Sequence, residues 1–329
     1  MTAMLRGILA LTVAYVMLAG SETARAQAQY PEKPITIIYP WAPGSAIERV
    51  LRAMGEMASE ELGQPFVINN VSGAGGTKSM TAGKEAAPDG YTLLNNFVAP
   101  QIGSKLFNPD LPYSNDDFIP IANIFAFPFV VMLAQDHPAN TLDEFIAWAK
   151  ERGSPINYGV CAPQSVPRLV GEQLMKEAGV AYNPIPNGKG GCGGDNALGL
   201  LNGTLDAAVG DVPLLTKFDG QIKTVGMITD ERHDVDPTIP TVAEQGISLG
   251  WGFASFGWGG LAVPKGTDPS IVARLQEVIG GVVQSEAFLT ELGDLAPMIS
   301  YVGPDDTVKL WSDSMDLLRP HVEAILSSN

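Results

Sequence analysis

The sequence predicts an α/β fold of two lobes, with mainly parallel sheets and a hinged cleft between them. Short apolar, strand-like runs alternate with amphipathic helical stretches along nearly the whole chain. The chain also passes twice between lobes, once after Ile119 and once near Gly246–Gly252. Two such crossings make a clamshell whose cleft is lined by loops at strand C-termini, where open α/β sheets bind ligands. No internal repeat or low-complexity linker interrupts the pattern.

Residues 1–26 read as an export signal. Arg6 supplies a positive start, Gly7 to Gly20 is apolar, and Ala24-Arg25-Ala26 fits a small-x-small cleavage site. The alternative, a membrane anchor, needs a longer apolar run. The protein is therefore expected in the periplasm, with lobe 1 formed by residues 27–124 and 250–329 and lobe 2 by 125–249.

Ile35–Tyr39 is the first strand, and Tyr39-Pro-Trp-Ala-Pro-Gly-Ser45 a tight loop opening a helix. That helix, Ala46–Leu62, carries Ile47, Val50, Leu51, Met54, Ala58 and Leu62 at helical spacing and stops at Gly63. Phe66–Asn69 is a strand; Gly73-Ala-Gly-Gly76 turns into a helix from Thr77 to about Ala87; Pro88-Asp-Gly90 leads to a strand at Tyr91–Leu94. Phe125–Leu133 is a strongly apolar strand-like run, and Thr141 with Glu144 is a capping pair. Strands follow at Ile156–Gly159, Tyr182–Ile185, Leu205–Val209, Ile222–Ile228 and Phe253–Val263. Helices are expected from Val166 to Ala178, up to Leu201, over Val212–Lys217, Asp268–Val283, Phe288–Leu292 and Asp305–Ile325.

Removal of residues 1–26 leaves roughly 300 residues, enough for two ordinary domains. The formal charge of −16 argues against nucleic acid and anionic lipid as partners. It does not exclude an anionic ligand, because clustered amides and one or two cations outweigh diffuse, screened charge. Cys161 and Cys192 are the two cysteines; in an oxidising compartment they form one disulfide or stay as two free thiols.

Several segments in order carry a resemblance: Tyr30-Pro-Glu-Lys-Pro-Ile35, Tyr39-Pro-Trp-Ala-Pro-Gly44, Gly73-Ala-Gly-Gly76, Ala87-Pro-Asp-Gly-Tyr-Thr-Leu-Leu94, Leu111-Pro-Tyr113, Ile156-Asn-Tyr-Gly159, Pro240-Thr-Val-Ala-Glu244 and Leu261-Ala-Val-Pro-Lys-Gly-Thr267. Together they resemble the Bug or TctC family, the extracytoplasmic receptors of tripartite tricarboxylate transporters. The resemblance implies a type II periplasmic-binding-protein fold and a small carboxylate held by loops from both lobes. It implies a membrane permease of a large and a small subunit as partner, no cofactor, and a monomer. The chain departs from the family at the ligand loops. Ser45-Ala-Ile-Glu48 replaces the family's Gly, small residue, Thr and Asp; Val71-Ser72 replaces Arg-Pro; Val160–Arg168 replaces a Gly/Ser/Thr-rich loop; and Pro186-Asn-Gly-Lys-Gly190 carries one inserted residue.

The candidate ligand contacts fall in three loops. Trp41, Ala42, Gly44, Ser45 and Ala46 form the first; the amides of Gly44, Ser45 and Ala46 at a helix start suit a carboxylate. Trp41 lies against the ligand or packs between lobes. Ala162, Gln164 and Ser165 form the second, with Arg168 either pairing a carboxylate or facing solvent. Lys189 and Gly190 form the third, a cation on a Gly loop that closes over the ligand or stays solvated. Asp211, beyond a strand, orders a loop or a water, and Phe97 with Trp41 favours a flat or apolar ligand body.

Enzyme readings fail on the residues. Lys78 stands where a dinucleotide fingerprint needs its third Gly, Gly83-Lys84 is followed by Glu85, and there is no Gly-x-Ser-x-Gly. His137, His233 and His321 are scattered without metal spacing. A solute receptor is therefore expected. A ligand-loaded co-receptor for a sensor kinase is the alternative of a different class, and an exported hydrolase the least supported.

Overall fold

The computed structural model describes residues 30–161, 165–186, 192–212, 218–250, 252 and 256–327. The expected export signal lies outside the described residues, as does nearly all of the helix expected over Val212–Lys217. No helix among the described residues is long and apolar enough to cross a membrane.

The first sheet is six-stranded. Its strands are β1 (Ile35–Tyr39), β2 (Phe66–Asn70), β3 (Thr92–Phe97), β4 (Phe118–Phe127), β10 (Gly257–Pro264) and β11 (Ile299–Val302), in the order β11-β4-β10-β3-β1-β2. The second sheet, in the order β7-β6-β8-β5-β9, holds β5 (Phe129–Ala134), β6 (Ile156–Val160), β7 (Tyr182–Pro186), β8 (Ala207–Asp211) and β9 (Ile222–Met227). The helices are α1 (Ala46–Leu62), α2 (Thr77–Glu85), the single turn α3 (Ser104–Phe107), α4 (Leu142–Glu151), α5 (Val166–Glu177), α6 (Cys192–Leu201), α7 (Pro269–Val283), α8 (Glu286–Leu292) and α9 (Pro304–Ser327).

Local chemistry sets many boundaries. Ser45 caps α1 by accepting the Glu48 N–H, and Gly63 ends it at φ 71°, where a side chain would be strained. Thr141 caps α4 by accepting the Glu144 N–H, while Glu144 reaches back to the Asn140 N–H. The buried faces of α1 and α7 pack against each other and against the first sheet.

The sheets are mixed rather than mainly parallel. Parallel pairing joins β1 to β2 and β3, and β6 to β7 and β8. The strands that carry the chain between sheets do not belong to strand–helix–strand units, and they pair antiparallel: β10 with β3 and β4, and β5 with β8 and β9. The apolar run at Phe125–Leu133 is also two strands, not one. Residues up to Phe127 belong to the first sheet and those from Phe129 to the second, so the first crossing is at Pro128 rather than between 124 and 125. Proline, lacking an N–H, cannot donate to a ladder and separates the strands. The return falls between Thr241, bridged to Met227, and Gly257. β3 runs to Phe97 and β8 to Asp211, beyond the expected ends, while β10 starts at Gly257 rather than at 253. β11 and the turns over Ala99–Phe107 were not expected from sequence.

Candidate functional site

The ladder registers bring the inner ends of both sheets to Pro128. In the first sheet Phe97 pairs Gly259, and Gly257 pairs Phe127. In the second, Phe129 pairs Asp211. The C-terminal ends of β3 and β8 therefore flank the crossing from opposite sides. β1 ends beside β3 and delivers its loop to the same place.

A row of aromatic rings marks the junction. Trp41 meets Phe97 edge to face with centroids 6.0 Å apart, Phe97 lies 6.2 Å from Phe127, and Phe127 meets Phe129 edge to face at 6.1 Å. Phe125 lies beside this row, 6.0 Å from Phe97. The rings require small residues on β10. A Cβ on Gly257 would sit 2.5 Å from the Phe127 ring, and one on Gly259 would sit 2.7 Å from that of Phe125. Phe97 is thus buried in an aromatic layer, and half-buried Trp41 forms the end of the row nearest the first loop.

The first loop is held from within. Its Gly44 N–H, expected to face a ligand, donates instead to Glu48 Oε2 at 2.7 Å. Glu48 is 3 % exposed and also accepts from the Arg52 guanidinium, so its charge is paired. Ser45 Oγ is likewise engaged, accepting from the Glu48 N–H and bonding to the Tyr39 hydroxyl. Asn70 Nδ2 fastens the Trp41 carbonyl at 2.9 Å. The N–H groups of Ser45, Ala46 and Ile47, at the N-cap and first two helical positions of α1, have no acceptor among the described residues. Ala42 and Gly44 are exposed around them. The open donors at the start of α1 thus lie one residue further along the chain than the sequence suggests, with the Gly44 N–H taken by Glu48. The signal was present: Ser45-Ala-Ile-Glu48 has capping-box spacing, but the glutamate reaches Gly44 instead of Ser45.

On the second sheet, Asn196, the fifth residue of α6, donates to the Gly159 carbonyl at 3.3 Å and the Val209 carbonyl at 2.8 Å, tying together the ends of β6 and β8. Buried Ser165 precedes α5 as its N-cap residue. Cys161, just beyond β6, is buried and disulfide-bonded, and the sequence holds one other cysteine, Cys192. Arg168 is paired along its own helix: its Nε donates to Glu172 at 2.6 Å, one turn along α5. Burial, and after it the nearby Glu172, holds the hydroxyl of Tyr182 above its ordinary pKa; Tyr182 starts β7 at the end remote from the crossing. Ala162, Gln164, Lys189 and Gly190 lie outside the described residues.

Asp211 is the last residue of β8. Its carboxylate Oδ1 is sealed from solvent and has no hydrogen-bond partner. Burial pushes its pKa up to about 6, opposed only by the residue's own backbone N–H. Among the described residues there is no cluster of His, Cys, Asp or Glu able to hold a metal ion.

Residues 50–325 match the family model described as the tripartite tricarboxylate transporter family receptor. Protein BugT of Bordetella pertussis is 29% identical over 304 residues, covering 91% of each chain. MatC from Rhodopseudomonas palustris, solved with bound malate, superposes with a TM-score of 0.73 at 27% identity, covering 89% of this chain and all of its own. A TctC solute-binding protein from Polaromonas gives a TM-score of 0.70 at 25% identity, covering 90% of this chain and 99% of its own.

Proposed function

Because the chain belongs to the tripartite tricarboxylate transporter receptor family, we propose that it captures a small organic carboxylate between its two lobes. It does so outside the cytoplasm and passes the ligand to a membrane permease with a large and a small subunit. The observation that carries the reading is the run of open amides at Ser45, Ala46 and Ile47, at the α1 N-terminus beside the Gly44–Glu48 lock. Malate bound to the similar MatC supports a carboxylate as the ligand class.

Capture works by population shift. A ligand that touches both lobes stabilises the closed arrangement by its differential affinity for it. The partial positive charge of the α1 amides receives one carboxylate, and the aromatic row at Trp41 supplies an apolar wall. The mechanism requires no covalent step, and the chain acts as a receptor rather than an enzyme. The test is a thermal-melt panel of mono-, di- and tricarboxylates on protein freed of bound ligand. A ligand at a hundred times its Kd stabilises by about 2.7 kcal/mol, a shift easily read. A folded, ligand-free protein that no carboxylate stabilises would refute the proposal.

A further inference from the structure

Resting on the receptor reading, in which the lobes move against each other, we infer that α9 is a third tie between them. Its early turns are fixed to the first sheet, its last turns rest on α5 of the second lobe, and Pro320 is the joint at which it bends.

α9 starts on β4, where Thr307 Oγ1 accepts the Asn123 N–H at 3.2 Å. It packs along β4 and against the turns over Ala99–Phe107, which follow the inner end of β3, so it runs toward the crossing. From Asn123 to Phe127, the last residue of β4, the strand covers about 14 Å. From Thr307 to Ile325 the helix covers about 27 Å. The helix therefore overshoots the first sheet. Its apolar face nonetheless stays covered: Leu318 is 0 % exposed and Val322 1 %. Both share one buried apolar cluster with Val166, Leu169 and Val170 of α5, and Ile325 packs against that cluster. Lys176, in the last turn of α5, marks the same contact from the other side. Burial, and after it the nearby Lys176 ammonium, holds the His321 imidazole below its ordinary pKa. The second lobe thus supplies the cover that the first sheet is too short to give.

Pro320 stands between the two attachments and is itself exposed. It has no N–H to offer the Asp316 carbonyl, so the helical ladder is broken there, and proline is a common origin of helix kinks. A helix interrupted at that point yields while both of its ends hold. The lobes are then joined by two strand crossings and one helix, and α9 limits how far the empty cleft opens.

Pulsed electron double resonance on ligand-free protein reads the spacing of the lobes. Spin labels go on Glu60→Cys in α1 and Glu151→Cys in α4, both exposed positions. Among the described residues no native cysteine is a free thiol, so the introduced ones take the label. A chain ending at Arg319 should show a broader distribution shifted to longer spacing. P320A, whose added N–H restores the ladder, should narrow the distribution relative to the parent. H321E should also narrow it by pairing with Lys176, and adding K176E should reverse that change; this charge pair decides the matter if the shortened chain does not fold. An unchanged distribution in a folded shortened chain, or one for H321E that is indifferent to K176E, overturns the tie. An unchanged distribution in P320A overturns the joint. Carboxylate binding plays no part in these distances, so the receptor reading stands or falls separately, by its own thermal-melt panel.

Discussion

Replacing Asp211 by Asn should stabilise the ligand-free protein, and the gain should grow with pH. The carboxyl rises from 3.8 to about 6 on folding because the fold removes it from water, and no charged side chain contributes to that rise. A pKa raised in the folded state means that folding retains a proton the unfolded chain releases. Below pH 3.8 the carboxyl is neutral in both states and costs nothing extra. As pH rises through about 6, the folded protein must hold a buried charge, and stability falls. At about 1.4 kcal/mol per pH unit, the full penalty is about 3 kcal/mol. Linkage puts the advantage of D211N at about 1 kcal/mol near pH 4.5 and about 3 kcal/mol near pH 7.5. The assay is urea unfolding followed by tryptophan fluorescence, on both proteins after unfolding and refolding to remove ligand. Taking the difference between the variants cancels every other titrating group. A difference that stays flat with pH would show that the Asp211 carboxylate is partnered or hydrated, and would refute this reasoning.

Three further outcomes are expected. E48A should lower stability by about 2 kcal/mol, since it strips the Gly44 N–H and Arg52 of a charged partner, and should weaken carboxylate binding because the loop loses its lock; urea unfolding and calorimetry read the two effects. R168A should leave carboxylate affinity within about twofold of wild type, because its guanidinium already serves Glu172; a loss above about tenfold in titration would place Arg168 at the ligand. G260A should destabilise by about 3 kcal/mol or more, seen as a large fall in Tm, because the new Cβ would lie 1.9 Å from the Ala122 carbonyl oxygen.

The features legible in the sequence were those set by near neighbours. The Tyr39–Ser45 loop, the α1 boundaries and the Thr141–Glu144 cap follow from proline, glycine and hydroxyl chemistry within a few residues. The Arg168–Glu172 pair is equally local, at helical spacing. Strand order was not legible, because antiparallel pairing of β10 with β3 joins residues more than 150 positions apart. Nor was the aromatic row. Phe125, Phe127 and Phe129 alternate in sequence, but only the break at Pro128 reveals that they link two sheets. The start of α1 was correctly placed, whereas the donors available there depended on where Glu48 turns its carboxylate. The solitude of Asp211 Oδ1 is a property of packing from every side, and no sequence window contains it.

Ala46→Pro tests the central claim most directly. Proline is well tolerated at the first position of a helix, and Ser45 already has the extended ψ of 160° that a residue before proline prefers. The substitution deletes one open N–H and leaves the helix in place. Calorimetric titration of ligand-free wild-type and A46P protein, with whichever carboxylate binds wild type most tightly, should show affinity falling about tenfold or more at unchanged Tm. Unchanged affinity in a folded A46P protein would contradict the account, because the acid would then be held somewhere other than the start of α1.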